Sequence, residues 1–330
     1  MASDLHSRFH ETWLGMVQPI EGLVVSLPVL VDSQCMEQHG PELQESFRAV
    51  CPIHDAETGL ALEQQVPTSG RRKRETLNQK LREGKRRYRD LSEFLEGVLG
   101  WTPDLYDTGD ALPENLSRYI AEGHQNIKPT LALRKIEGGG DAAPKDGVPD
   151  IETPESEAGK AYEALVWELP TGLAFDKPET ETGEWRYPPA AKFDRLLRAC
   201  RVPIGLLSSG DKIRLIYAPH GEATGAITFD LTDMGEVGGR PILDAFVMLL
   251  SAQRFFGVQE GDALPSLLRA SRERQANVTN TLAGQVFDAL DILLRGFEAA
   301  AHRDSQSDRI RSRPRIFRRR GDRQGDPIMI

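Results

Sequence analysis

The sequence predicts an α+β fold: a mixed sheet with flanking helices and a helical C-terminal part. Three observations carry this. Behind Pro188-Pro189, the residues Phe193, Leu196, Leu197 and Cys200 fall at i, i+3, i+4 and i+7, the apolar stripe of a helix that keeps Asp194, Arg195, Arg198 and Arg201 outside. Ile204-Gly205-Leu206-Leu207 follows as a buried strand, Ser208-Ser209-Gly210-Asp211 as a tight turn, and Ile213, Leu215 and Tyr217 as a half-buried strand alternating with Lys212 and Arg214. From Leu243 to Phe297 the apolar residues recur with a helical period.

In chain order, Leu23 to Val31 is apolar and β-branched enough for a strand, with helical patches beside it. Cys35, His39, Cys51 and His54 lie within twenty residues and form a candidate zinc set, since thiolate and imidazole suit that ion. Their spacings match no common finger, and the alternative is buried small Cys with exposed His. From Arg74 to Gly100, Leu77, Leu81, Tyr88, Leu91, Leu95 and Leu99 predict one helix stopped by Gly100. Lys128–Lys135 and Tyr162–Leu169 read as two strands joined by an acidic, Gly- and Pro-rich insert near 137–160 that is expected to be disordered. Ile227–Leu231 is a further short strand. Leu243, Phe246, Val247 and Leu250 form one helix, and the run from Leu264 to Phe297 one or two more, with Gly284 a bend. Four segments follow: 1–100 with a basic helix, 101–240 as the α/β core, 241–302 helical, and 303–330 a basic, irregular tail.

With 330 residues and 39% apolar content the chain can bury a core. Its longest apolar stretch is broken by Pro28 and falls far short of a membrane span. Three cysteines argue for a reducing cytoplasm rather than a disulfide framework. The net charge of −9 conceals a segregation: residues 71–90 carry +7 and residues 303–330 carry +5, so the remainder carries −21. An acidic body repels nucleic acid except where its basic segments face it. In the first of these, Arg71, Arg72, Lys73, Arg74, Lys80, Arg82, Lys85, Arg86, Arg87 and Arg89 form a candidate DNA-binding set, the bland alternative being a solvated helix face.

Several runs in order resemble a known family. Lys192-Phe193-Asp194-Arg195-Leu196-Leu197-Arg198, Val202-Pro203-Ile204-Gly205-Leu206-Leu207, Arg214-Leu215-Ile216-Tyr217-Ala218-Pro219 and Gly239-Arg240-Pro241-Ile242-Leu243 are similar to the N-terminal region of large bacterial adenine-specific DNA methyltransferases of phage-defence systems, the type IIG restriction-modification and class 1 DISARM kind. His10-Glu11-Thr12-Trp13-Leu14-Gly15-Met16 and Gln18-Pro19-Ile20-Glu21-Gly22-Leu23-Val24 resemble that family's opening, so the likeness covers residues 5 to about 300 and stops before any methyltransferase domain.

The strand, strand, helix, strand order from Pro129 to Ala218 also looks like the core of PD-(D/E)xK nucleases. An active member of that fold holds Mg²⁺ through an Asp and a Glu on neighbouring strands, with a Lys two residues beyond the Glu. Here Thr130 stands at the Asp position and Glu168-Leu169-Pro170 at the Glu and Lys positions, so two of the three groups are missing. Lys135, Asp176 and Lys192 are the residues that would compensate by migration. Methylation by this chain is not expected either: the only Pro-Pro beside an aromatic, Tyr187-Pro188-Pro189, has the wrong order for binding a flipped adenine.

The resemblance therefore implies a DNA-binding and positioning module with a degenerate nuclease-like core, without catalysis of its own. The alternatives are an active Mg²⁺-dependent restriction-type nuclease and a non-enzymatic scaffold for subunit interaction. No cofactor is expected in this chain. S-adenosylmethionine belongs to a missing C-terminal domain, and Mg²⁺ only to the nuclease alternative. The implied partners are DNA and other defence-system subunits or a separately encoded methyltransferase part, in the cytoplasm and away from membranes.

Overall fold

The computed structural model describes residues 2–17, 20–55, 58–62, 79–120, 124–135, 159, 161–178 and 187–311. The expected insert near 137–160 and the residues beyond 311 lie almost wholly or wholly outside these, as do Arg71, Arg72, Lys73 and Arg74. Contacts divide the chain into two compact units, Met1–Glu273 and Arg274–Ile330. The segments expected at 1–100 and 101–240 both fall in the first.

Helix α1 (Ala2–Met16) buries Phe9 and Trp13, four residues apart on one face. Strand β1 (Ile20–Glu21) follows. The strand expected over Leu23–Val31 is instead helix α2 (Leu27–Asp32). Pro28 sits in its first turn, where a missing N–H costs nothing and the fixed φ favours a helix over a ladder. Helix α3 (Pro41–Val50) also opens on a proline and buries Phe47.

The single helix expected over 74–100 is interrupted. Residues 79–83 are helical, but strand β3 (Lys85–Arg86) then pairs antiparallel with strand β2 (Ile53–His54). Gly84 permits the approach: a Cβ there would stand 2.6 Å from Ile53 Cγ2 and 2.7 Å from the His54 carbonyl oxygen. Helix α4 (Leu91–Leu99) starts afresh, with Asp90 accepting the Glu93 N–H at its N-terminus and Gly100 closing it at φ 69°.

The first unit is built on a seven-stranded sheet in the order β1-β11-β10-β9-β8-β7-β4. The added members are β4 (Tyr106–Thr108), β7 (Leu131–Arg134), β8 (Tyr162–Glu168), β9 (Ile204–Ser208), β10 (Lys212–Tyr217) and β11 (Gly225–Asp230). A separate hairpin joins β5 (Arg118–Ile120) to β6 (Gln125–Ile127). Every pairing in the large sheet is antiparallel except β8 with β9, which run parallel. Parallel neighbours need a crossover, and helix α5 (Pro189–Cys200) lies between them in the chain, burying Phe193, Leu196, Leu197 and Cys200 as its spacing predicts. It packs so close to β9 that a Cβ on Gly205 would stand 2.6 Å from the Phe193 ring.

The apolar side chains form two clusters. Leu206 belongs to one and Leu207 to the other, the alternation expected of a strand with both faces covered. The larger cluster holds α1, α4 and the nearly all-buried helix α7 (Arg240–Leu250), whose Phe246 meets Phe94 and Phe229 at centroid distances of 6.0 and 5.1 Å. The smaller holds α5. Short helices α6 (Leu231–Gly235) and α8 (Ala252–Phe256) flank α7 in sequence. Helix α9 (Leu264–Arg311) buries Leu264, Leu267 and Leu268. It continues past residue 302, where an irregular tail is expected; Val278, Leu282, Val286 and Phe297, which share its helical apolar period, are exposed. No helix among the described residues is long and apolar enough to cross a membrane.

Candidate functional site

After β8 the chain departs towards the crossover helix α5, whereas after β9 it turns back at once into β10. Divergence at the carboxyl ends of parallel neighbours opens a crevice in α/β sheets, and one of about 360 Å³ lies here. Its walls are the segment Gly172–Asp176 that follows β8, the turn at Ser209 and Asp211, and side chains from β10, β11 and α6. The two loops are stitched together: the Leu169 N–H donates to the Ser208 carbonyl (2.7 Å) and the Gly172 N–H to that of Ser209 (2.9 Å). Gly210 turns the hairpin at φ 78°.

The crevice is lined by paired charges. Arg214 is only 3% exposed. Its guanidinium grips Asp176 with both terminal nitrogens (2.5 and 2.8 Å), donates through Nε to Thr228 Oγ1 (2.8 Å) and lies 5.0 Å from the Phe175 ring centroid. Lys85 Nζ reaches Asp211 Oδ2 at 3.2 Å, and Lys212 Nζ reaches Asp230 Oδ2 at 3.3 Å. Burial, and then the nearby Asp230 and Glu236, push the Asp233 carboxyl above the usual carboxylate range.

Beside this crevice the strand ends bring together the two residues expected at the nuclease positions. The Thr130 N–H donates to the Val166 carbonyl (2.7 Å), and Thr130 Oγ1 accepts the Glu168 N–H at 2.8 Å. Glu168 Oε1 in turn accepts from the Tyr88 hydroxyl (2.9 Å), which lies 2.7 Å from Ser208 Oγ. Burial pushes the Tyr88 phenol up, so it stays a proton donor. None of the three candidates for compensation turns towards Glu168. Lys135 donates to the Gly159 carbonyl (3.1 Å), the buried Lys192 to Gln125 Oε1 (3.1 Å), and Asp176 is held by Arg214. Among the described residues, no group of three or more His, Cys, Asp and Glu is placed to hold a metal ion.

That holds for the zinc candidates too. Cys35 and Cys51 are free and buried; burial pushes the Cys35 thiol up to about 11 and the Cys51 thiol further, away from the thiolate a metal needs. His39 Nδ1 lies 3.3 Å from Asp244, and His54 Nδ1 lies 3.0 Å from the Pro52 carbonyl.

Of the basic candidates within the described residues, Lys80 is paired with the buried Asp55 (2.5 Å) and Lys85 with Asp211. Arg82 and Arg89 are exposed and Arg87 is half-buried. Arg86 does not face solvent: it is 8% exposed, and its guanidinium donates to the Cys51 carbonyl (2.8 Å). The basic segment nevertheless runs alongside the crevice, with Lys85 in its wall and the Tyr88 N–H donating to the Gly210 carbonyl (3.3 Å). Tyr88, Ser208, Asp211 and Arg214 were not legible as one site. Tyr88 counts in the sequence as one residue of a helical stripe, and Ser208 and Asp211 as turn formers. The sequence reads Arg214 as one of the polar positions of a half-buried strand, with Lys212, whereas the structure buries it. No family model, curated protein or solved structure matches the chain.

Proposed function

We propose that the chain is a DNA-binding and positioning module, akin to the N-terminal region of a DISARM-like adenine-specific DNA methyltransferase, with a PD-(D/E)xK-type core that has lost its metal pair. The observation that carries this reading is the junction at the carboxyl ends of β8 and β9. A hairpin, a crossover helix and a parallel strand set Thr130 beside Glu168, and the basic segment runs past the same edge. Thr130 brings no charge and Glu168 is occupied by Tyr88, so the edge holds a duplex by its phosphates rather than cutting it. S-adenosylmethionine chemistry falls to a separate methyltransferase part, which is the implied partner in the cytoplasm.

The test is fluorescence anisotropy of a labelled duplex against salt. Log affinity falls with log salt at about −0.9 per phosphate neutralised, and Arg82→Ala with Arg89→Ala, both exposed, flattens that slope by about two units without altering sequence preference. Absence of binding at low salt, or a slope untouched by the double variant, leaves the basic segment a solvated face and defeats the proposal. Metal-dependent cleavage of the duplex by the purified chain would return the edge to a working nuclease.

A further inference from the structure

From Arg274 onward, in the second unit, helix α9 carries an exposed apolar stripe. Val278, Leu282, Val286, Leu290, Leu293 and Phe297 are between 49% and 69% exposed, far more than a folded chain ordinarily leaves in one contiguous row. Their order contains an 11-residue repeat: Leu282 and Val286 recur as Leu293 and Phe297. Such a repeat turns 3.67 residues per turn, close to the helix's own period, so the stripe runs almost straight along the axis and winds only slightly right-handed around a partner helix. The geometry points to a second copy of this chain as that partner, the two stripes packing against each other in a homodimer.

Two arguments favour a copy over other occupants. The first is size. Six half-exposed Val, Leu and Phe side chains present on the order of 100 Å² each, so two copies together remove about 1,200 Å² from water, where specific stable interfaces begin. A symmetric pair doubles whatever one copy offers, and an isologous contact needs no second gene product. The second is charge. Between residues 276 and 297 the only formal charges are Asp288, Asp291 and Arg295, with Asp291 and Arg295 paired at 2.8 Å. A helix that lies on an anionic membrane carries Lys and Arg along its polar face, whereas the stretch that bears this stripe holds a single Arg, already paired with Asp291.

Sedimentation of the full chain, from submicromolar to tens of micromolar, reads the outcome. The wild type is expected to reach twice its monomer mass. Leu282→Glu with Leu293→Glu is expected to weaken self-association at least about 100-fold, while Asn277→Glu on the opposite arc leaves the dimer intact. Should the Glu pair reduce the helical circular dichroism, Leu282→Ala with Leu293→Ala, which favours the helix, takes its place with the same expected loss. A wild type that stays monomeric, or a stripe variant that stays dimeric, overturns the proposal. So does a monomeric wild type that floats with vesicles of three parts phosphatidylcholine to one of phosphatidylserine, which would assign the stripe to lipid.

Discussion

Arg86 shows how a side chain's surroundings outrank its charge. Its guanidinium is withdrawn between the Cys51 carbonyl and the backbone of Gly235, where a Cβ would stand 2.2 Å from Arg86 Nε, and the Arg86 backbone N–H donates to Thr232 Oγ1 (3.1 Å). Arg86→Ala therefore strands a buried carbonyl and is expected to cost about 1 to 3 kcal/mol in urea unfolding, whereas Arg82→Ala stays within about 0.5 kcal/mol. The reverse ranking would mean that Arg86 is a surface cation after all. His10 gives a second residue-scale expectation. Fully buried in α1, it accepts the Trp13 indole N–H at Nδ1 (3.0 Å), and burial, with His6 adding to it, lowers its pKa from 6.5 to about 4. Between those values the unfolded chain takes up a proton that the folded chain refuses, so stability is full above pH 6.5 and falls as pH drops towards 4. The difference in unfolding free energy between wild type and His10→Gln, followed from pH 7 to 4, should narrow by at most about 3 kcal/mol; a constant difference would place His10 in contact with water.

At the scale of elements, β9 separates two apolar layers. Leu206→Ala and Leu207→Ala are each expected to cost about 2 to 5 kcal/mol, and because the two side chains enter different clusters, their effects should add to within about 0.5 kcal/mol. Strong coupling in the double variant would show that the layers communicate through the strand. The elements legible in the sequence are those whose pattern is local: α5 by its i, i+3, i+4, i+7 stripe, α4's end by Gly100, and β8 and β9 by runs of apolar residues. Those misread depend on partners far along the chain. Helical spacing runs through Gly84, and only the pairing of Lys85–Arg86 with Ile53–His54 breaks it. Leu23–Val31 has a strand's composition, but Pro28 and a place against the core make part of it a helix. The candidate site was half legible for the same reason. Thr130 and Glu168 meet through a predictable hairpin, while Tyr88 arrives from 80 residues away.

For the molecule as a whole, the acidic balance sets its behaviour in solution. With a pI near 5.4, net repulsion between copies vanishes close to that pH, and light scattering should find a solubility minimum there. A minimum displaced by more than about one pH unit would mean that many carboxylates are shifted, beyond the upward shifts at Asp233 and the half-buried Glu163. The pairing of Ile20 with Ile227 has a consequence in time. A ribosome adding roughly 5 to 20 residues per second finishes β1 some ten to forty seconds before β11 exists to receive it. Throughout that interval Phe9, Trp13 and Val17 have no completed sheet to cover them, so the apolar face of α1 stays open to water until the last sheet strand emerges.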